Sequence, residues 1–168
     1  MKTIYFAGGC FWGTEHFMKQ INGVKDTETG YANGHIENPS YQDVCTDKTG
    51  FVETVRVEYD ETEVSLDFLI RLFFKMIDPT SLNRQGGDRG TQYRTGIYYV
   101  DPEDQTTIKE TVAALSKNYD APIVVEMQAL ENFYPAEEYH QDYLQKNPSG
   151  YCHVSAELFK MAREAKMK

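Results

Sequence analysis

Two observations predict an α+β fold with helices packed on a mixed sheet. Strand-like and helix-like stretches follow in the order β-α-β-β-α-β-α-β with one helix appended, and the 168 residues contain no linker, low-complexity run or repeat, so residues 1–168 read as one domain with a sizeable core. Thr3 to Ala7 is a short apolar run and reads as the first strand. Phe11 to Gln20 follows as a helix stopped at Asn22-Gly23, then Val24 to Tyr31 as a second strand. Asn33-Gly34 and Asn38-Pro39 supply turn chemistry that leads to Tyr41 and Cys45. From Phe51 to Tyr59, Val52, Val55, Val57 and Tyr59 alternate with polar residues mostly at a two-residue period, giving a strand with one face exposed. Ser65 to Ile77 places Leu66, Leu69, Ile70, Phe73 and Phe74 at helical spacing, with Ser65 as N-cap and Asp78-Pro79 as the stop. That stripe is core packing rather than a cofactor box. A strand (Thr95–Val100), a helix with Pro in its first turn (Pro102–Asn118), a strand (Ile123–Leu130), a helix (Pro135–Lys146) and a terminal helix from Ser155 to about Lys166 complete the chain. The order matches a ferredoxin-like, two-layer arrangement.

Composition excludes several classes of function. A formal charge of −9 repels a nucleic acid or an anionic membrane surface at long range, so neither is expected as a partner. The apolar run within Met1 to Gly9 is too short for a signal peptide or a membrane span, and a cytoplasmic location is expected. Cys10, Cys45 and Cys152 are too few and too unevenly spaced for a disulfide scaffold, so any disulfide would be transient. There is no Cys-x-x-Cys, and His16, His35, His140 and His153 are scattered, so no metal site is expected. Glu137 and His140 form one Glu-x-x-His step, half of a di-iron pattern that needs a second copy. The Gly86 to Gly90 cluster lacks the following helix and Gly-Lys-Ser/Thr ending of a phosphate loop, and reads as a tight turn near the site.

The chemistry centres on Gly8-Gly9-Cys10-Phe11-Trp12-Gly13, at the junction of the first strand and first helix. A thiol at a helix N-terminus faces the positive end of the macrodipole and unpaired N–H groups, which favour thiolate. Phe11 and Trp12 form an apolar wall suited to a small greasy group. A thiol nucleophile also needs a partner that handles protons. Glu53, beside Phe51 and Val52, is a carboxyl whose pKa desolvation would raise, making it a proton donor near neutrality. Tyr41, Tyr134, Tyr139 and Tyr143 lie in polar segments where a phenol can orient a polar oxygen, and residue type alone does not choose among them. His140 is the base a cysteine hydrolase would require. Cys152, in Asn147-Pro148-Ser149-Gly150-Tyr151-Cys152-His153, sits in an irregular segment from which a thiol can reach a partner. A thiolate that takes up oxygen becomes a sulfenic acid, which a second thiol condenses to a disulfide, so Cys10 and Cys152 read as attacking and resolving thiols, with Cys45 as a competing resolver.

Gly9-Cys10-Phe11-Trp12-Gly13, Tyr41-Gln42-Asp43-Val44-Cys45, the stretch Gly86 to Arg94, the stretch Phe133 to Gln141 and Asn147 to Cys152 together resemble the A-type peptide methionine sulfoxide reductases along nearly the whole chain. The resemblance implies reduction of methionine S-sulfoxide, free or in proteins, without a cofactor. It makes Cys10 the nucleophile, Phe11 and Trp12 the wall around the S-methyl group, Glu53 the acid, and Tyr41 and Tyr143 hydrogen-bond donors to the sulfoxide oxygen. Glu138, where the family often carries Asp, and His140 would bind substrate. Phe51 replaces a His that commonly precedes the acid by two positions. Cys152 matches the recycling cysteine, with thioredoxin as reductant and a monomer as the expected state. A cysteine hydrolase using His140, a thiol peroxidase using Cys10 and Cys152, and a tyrosine-rich peptide-binding module are the alternatives.

Overall fold

The computed structural model describes residues 1–150 and 152–166. In chain order its elements are β1 (Lys2–Gly8), α1 (Phe11–Gln20), β2 (Val24–Ala32), α2 (Tyr41–Cys45), β3 (Val52–Tyr59), α3 (Leu66–Met76), β4 (Arg84–Gln85), β5 (Asp88–Arg89), β6 (Thr95–Tyr99), α4 (Asp104–Ser116), β7 (Glu126–Ala129), β8 (Phe133–Pro135), α5 (Tyr143–Lys146) and α6 (Ala156–Glu164). The large sheet runs β7-β6-β1-β3-β2-β8. Its centre, β6-β1-β3-β2, is antiparallel throughout, and the order is that of a ferredoxin-like βαββαβ unit. The mixed character comes from β7, parallel to β6, while β8 extends the other edge antiparallel to β2.

The two-residue strand period decides which face meets the helices. Ile4 and Phe6 of β1, Val55, Val57 and Tyr59 of β3, and Ile97 of β6 join the large core with α1, α3, α4 and α6. Tyr5, Ala7, Val52 and Tyr98 point the other way into a smaller cluster beneath Leu130 and Phe133. As the apolar stripe predicts, α3 buries Leu66, Leu69, Ile70, Phe73 and Phe74, and Ser65 caps it by accepting from the Phe68 N–H at 3.1 Å. Phe73 is fully buried with its ring 4.8 Å from that of Phe6, so truncating it to Ala would cost about 3–5 kcal/mol.

Three expectations are corrected. The predicted Pro135–Lys146 helix is instead β8, a 3-10 turn over Glu138–His140, and α5 beginning only at Tyr143. Tertiary hydrogen bonds outcompete a continuous helix there: the Gln141 side chain accepts from the Thr29 N–H and donates to the Thr29 and Ala136 carbonyls, and Asp142 adopts a left-handed φ of 53°. Helix α2 is an element the expected order did not contain, although Ser40 and Asp43 form a capping box at its start. The Ile123–Leu130 strand is reduced to β7, because Val124 gives its N–H to the Pro79 carbonyl before the sheet is reached.

Candidate active site

Cys10 occupies the N-cap position of α1, immediately after β1 and the turn at Gly9. Gly9 is required twice over: its φ is +88°, and a Cβ there would sit 2.7 Å from Cβ of Gln85 in β4. The helix terminus was expected to favour thiolate. The Trp12 N–H does face the sulfur and favours the anion, but Cys10 is buried, and burial first and the Glu53 carboxyl second push its pKa well above the ordinary thiol value. Cys10 therefore rests as a protonated thiol.

Glu53 is buried beside Cys10. It follows the same strand phase as Val55, Val57 and Tyr59, so it projects onto the helix-covered face and is 1% exposed. Its Oε1 accepts the Phe11 N–H at 3.2 Å, tying the acid to the residue after the nucleophile. Oε2 is buried without a hydrogen-bond partner. Burial raises the pKa to about 8, the Phe11 N–H opposing and Asp88 adding to the rise, so the group is protonated at neutral pH.

Two phenols share this space. Tyr41 opens α2, positioned by the Ser40 cap and by Glu137, whose Oε2 accepts the Tyr41 N–H at 3.0 Å while Oε1 accepts the Tyr31 hydroxyl at 2.8 Å. The second phenol is Tyr93, not among the residues singled out from the sequence. Burial first, then the Glu53 and Tyr41 groups, raise its pKa, so its phenol lies beside that of Tyr41. Tyr93 ends a 3-10 turn pinned on both sides: Asp47 Oδ1 accepts from the Thr91 N–H and hydroxyl, each at 2.9 Å, and Arg94 donates to the Thr91 and Gly50 carbonyls at 2.9 and 2.8 Å. The Tyr143 ring stacks on the Trp12 indole at 3.8 Å and 13°.

The wall is braced by the segment that failed to become a helix. His140 is 1% exposed, and its Nδ1 accepts the Trp12 indole N–H at 2.9 Å, which fixes the indole and leaves the proton on Nε2. Burial lowers its pKa, so it is neutral. That bond spends on Trp12 the nitrogen a hydrolase would need. Phe11 packs against His140 and Tyr31 with ring centres 5.1 and 5.7 Å away. Glu138 points into solvent, its side chain 91% exposed, and the structural carboxylate of this motif is its neighbour Glu137. Glu15, also missed in the sequence, is 1% exposed in α1; it accepts from the Asp142 N–H at 2.8 Å and the Thr27 hydroxyl at 3.0 Å, seating the residue before Tyr143. Asp88, in β5, raises the pKa of Cys10, Glu53 and Cys152 together, which places its charge at the centre of the site.

Cys152 is half-buried and lies over the first turn of α1: its Sγ accepts the Val154 N–H at 3.3 Å and would be 3.0 Å from a Cβ at Gly13. Cys152 is near enough to Cys10 to add to the rise in its pKa. Cys45 is exposed at the end of α2, with the Tyr41 hydroxyl beside its sulfur.

The model of the peptide methionine sulfoxide reductase family matches residues 2–168. The chain belongs to that family. It is 58% identical over 160 residues to the peptide methionine sulfoxide reductase MsrA of Clostridium acetobutylicum, covering 95% of this chain and 99% of that one. The crystal structure of Mxr1 from Saccharomyces cerevisiae in reduced form superposes with a TM-score of 0.87 at 38% identity, covering 92% and 91% of the two chains. Mxr1 in complex with Trx2 superposes at 0.60 with 26% identity, covering 84% of each. The α+β fold and the reductase activity expected from the sequence both stand. No helix among the described residues of this reductase is long and apolar enough to cross a membrane.

Signals for what the sequence reading missed were present. Tyr93 and Asp88 lie in the stretch Gly86 to Arg94, which was read for its glycines rather than for its acid and phenol. Glu15 was visible as a carboxyl within the first helix, but only the fold shows that its face is buried.

Proposed function

We propose that Cys10 attacks the sulfur of a methionine S-sulfoxide while Glu53 gives a proton to its oxygen. Tyr41 and Tyr93 hold that oxygen, and Phe11, Trp12 and Tyr143 enclose the S-methyl group. The observation that carries this reading is Glu53: a buried carboxyl, protonated at neutral pH, beside the thiol and two phenols, with one oxygen unpartnered. A sulfoxide oxygen leaves poorly until it is protonated. Once Glu53 has given its proton, its carboxylate takes the proton of the Cys10 thiol, so acid and nucleophile are activated in one step. The substrate S–O bond breaks and an S–OH forms on Cys10. Methionine sulfur gains the two electrons that Cys10 sulfur gives up.

Cys152 then displaces hydroxide from the sulfenic acid to form a disulfide, and a thioredoxin reopens it by thiol exchange. The Trx2 complex of the yeast relative supports a thioredoxin in that role. The test is incubation with a blocked methionine S-sulfoxide and excess dithiothreitol, with methionine measured. Product from the wild type and none from Cys10→Ser is expected; equal product from both overturns the reading.

A further inference from the structure

His153 has no part in the reduction step, yet its side chain is buried beside Cys152. Its side chain is 3% exposed. Nε2 donates to the Gly8 carbonyl at 3.0 Å, at the end of β1 and two residues before the nucleophile. Nδ1 lies 4.0 Å from Asp88 Oδ2 and makes no hydrogen bond.

The ring sits in a slot made by glycines. A Cβ at Gly9 would come within 3.3 Å of Nε2, one at Gly13 within 3.2 Å of Cε1, and one at Gly86 within 3.2 Å of the His153 Cβ. Gly9 and Gly86 have φ of +88° and +61° and so have a backbone reason to be glycine. Gly13 has none. It lies in α1 without a positive φ, where glycine costs about 1 kcal/mol against alanine. The space above Gly13 is filled by the tail: a Cβ there would also meet Cys152 Sγ at 3.0 Å and Val154 Cγ2 at 3.1 Å.

We propose that His153 is a positioning residue for disulfide formation, seated among Gly9, Gly13 and Gly86 so that it holds the Cys152 thiol on α1 within reach of the Cys10 sulfenic acid. This rests on the reading that Cys152 resolves Cys10. In the step concerned the Cys152 sulfur attacks the Cys10 sulfur, the Cys10 S–O bond breaks, and hydroxide leaves with the Cys152 proton as water. Cys152 sulfur gives up one electron and Cys10 sulfur gains one. His153 supplies no proton. It restricts the conformations of a segment whose thiol must otherwise search for its target, and orientation of this kind is worth a large factor in rate.

The experiment mixes reduced enzyme with methionine S-sulfoxide and follows disulfide formation by quenched thiol titration, in wild type, His153→Ala, His153→Gln, Gly13→Ala and Cys152→Ser. His153→Ala is expected to slow disulfide formation about tenfold or more. His153→Gln, which carries an amide N–H to the reach of Nε2, restores it to within about threefold. Gly13→Ala slows disulfide formation, because its Cβ displaces Cys152. A purely structural role would move stability and disulfide formation together. A wild-type rate in His153→Ala, with Cys152→Ser forming no disulfide, overturns the proposal and leaves the resolving thiol in place. A Cys152→Ser enzyme that still cycles with thioredoxin at the wild-type rate overturns the reading beneath it. If His153→Ala fails to fold, His153→Leu, which fills the slot without a donor to the Gly8 carbonyl, decides by the same measurement.

Discussion

Glu53 on β3 and Glu15 on α1 are both 1% exposed, and burial raises both, to about 8 and about 7. They differ in what their oxygens do. Both oxygens of Glu15 are used, one on the Asp142 N–H and one on the Thr27 hydroxyl. Glu53 uses one and leaves the other buried and unpartnered beside a thiol and two phenols. Burial alone raises a carboxyl pKa, so a raised pKa does not separate a brace from an acid. An unsatisfied oxygen beside a thiol and two phenols does. A buried polar atom without a partner costs about 1–3 kcal/mol, a cost kept where a substrate atom completes the bond.

The sharpest way to break this contrast is Glu53→Gln, which keeps the acceptor for Phe11 and removes the proton. Single-turnover methionine release should fall about 10²–10⁴-fold, the range for loss of a general acid; a fall of less than about threefold would make Glu53 a brace like Glu15. The same proton sets a pH limb. Above about 8 the protonated fraction of Glu53 drops about tenfold per pH unit, so the wild-type rate should decline with that slope, and the Glu53→Gln profile should lack the limb. Stability runs in the same direction. A folded pKa above the unfolded value means that the native state holds the extra proton between about 4.5 and 8, so this group's contribution is greatest at low pH and is lost as pH rises through 8. Glu53→Gln should therefore melt higher than wild type at pH 9.

Next in size are the phenols. Tyr93→Phe should lower the single-turnover rate about tenfold, whereas Tyr143→Phe keeps the ring on Trp12 and should change it little. A larger effect from Tyr143→Phe would return the oxygen-binding role to Tyr143. The smallest effect on rate belongs to Glu15→Gln, which loses about 1–2 kcal/mol of stability with its paired oxygens. It should shift the emission of Trp12, the chain's only tryptophan, because Asp142 seats the Tyr143 ring on the indole. An unchanged emission spectrum would detach Glu15 from the wall.

Much of this site was legible before any coordinates, for a physical reason. Cys10, Phe11 and Trp12 are adjacent, so a strand-to-helix junction brings them together whatever the rest of the chain does. The inward phase of Glu53 was also readable, since Glu53, Val55, Val57 and Tyr59 alternate in step. Other residues were not legible because their placement depends on distant partners. Tyr93 reaches Tyr41 through Asp47 and Arg94, and Tyr143 reaches Trp12 because Gln141 and Glu15 fold the 135–146 segment against β2 and α1. Helical spacing in that segment was a local signal, and tertiary hydrogen bonds to Thr29 and Asp142 overrode it.

By itself the sequence determined the α+β alternation, the thiol between aromatic rings at a helix start, and the acid on a buried strand face. All of these follow from neighbours and periodicity along the chain. Only the tertiary structure decided that Cys10 rests as a protonated thiol, that Tyr93 comes beside Tyr41 and the Tyr143 ring onto Trp12, and that the His153 side chain lies among three glycines. Each of those depends on burial or on contact between residues far apart in the chain, and neither desolvation nor a slot between elements is encoded in local residue order.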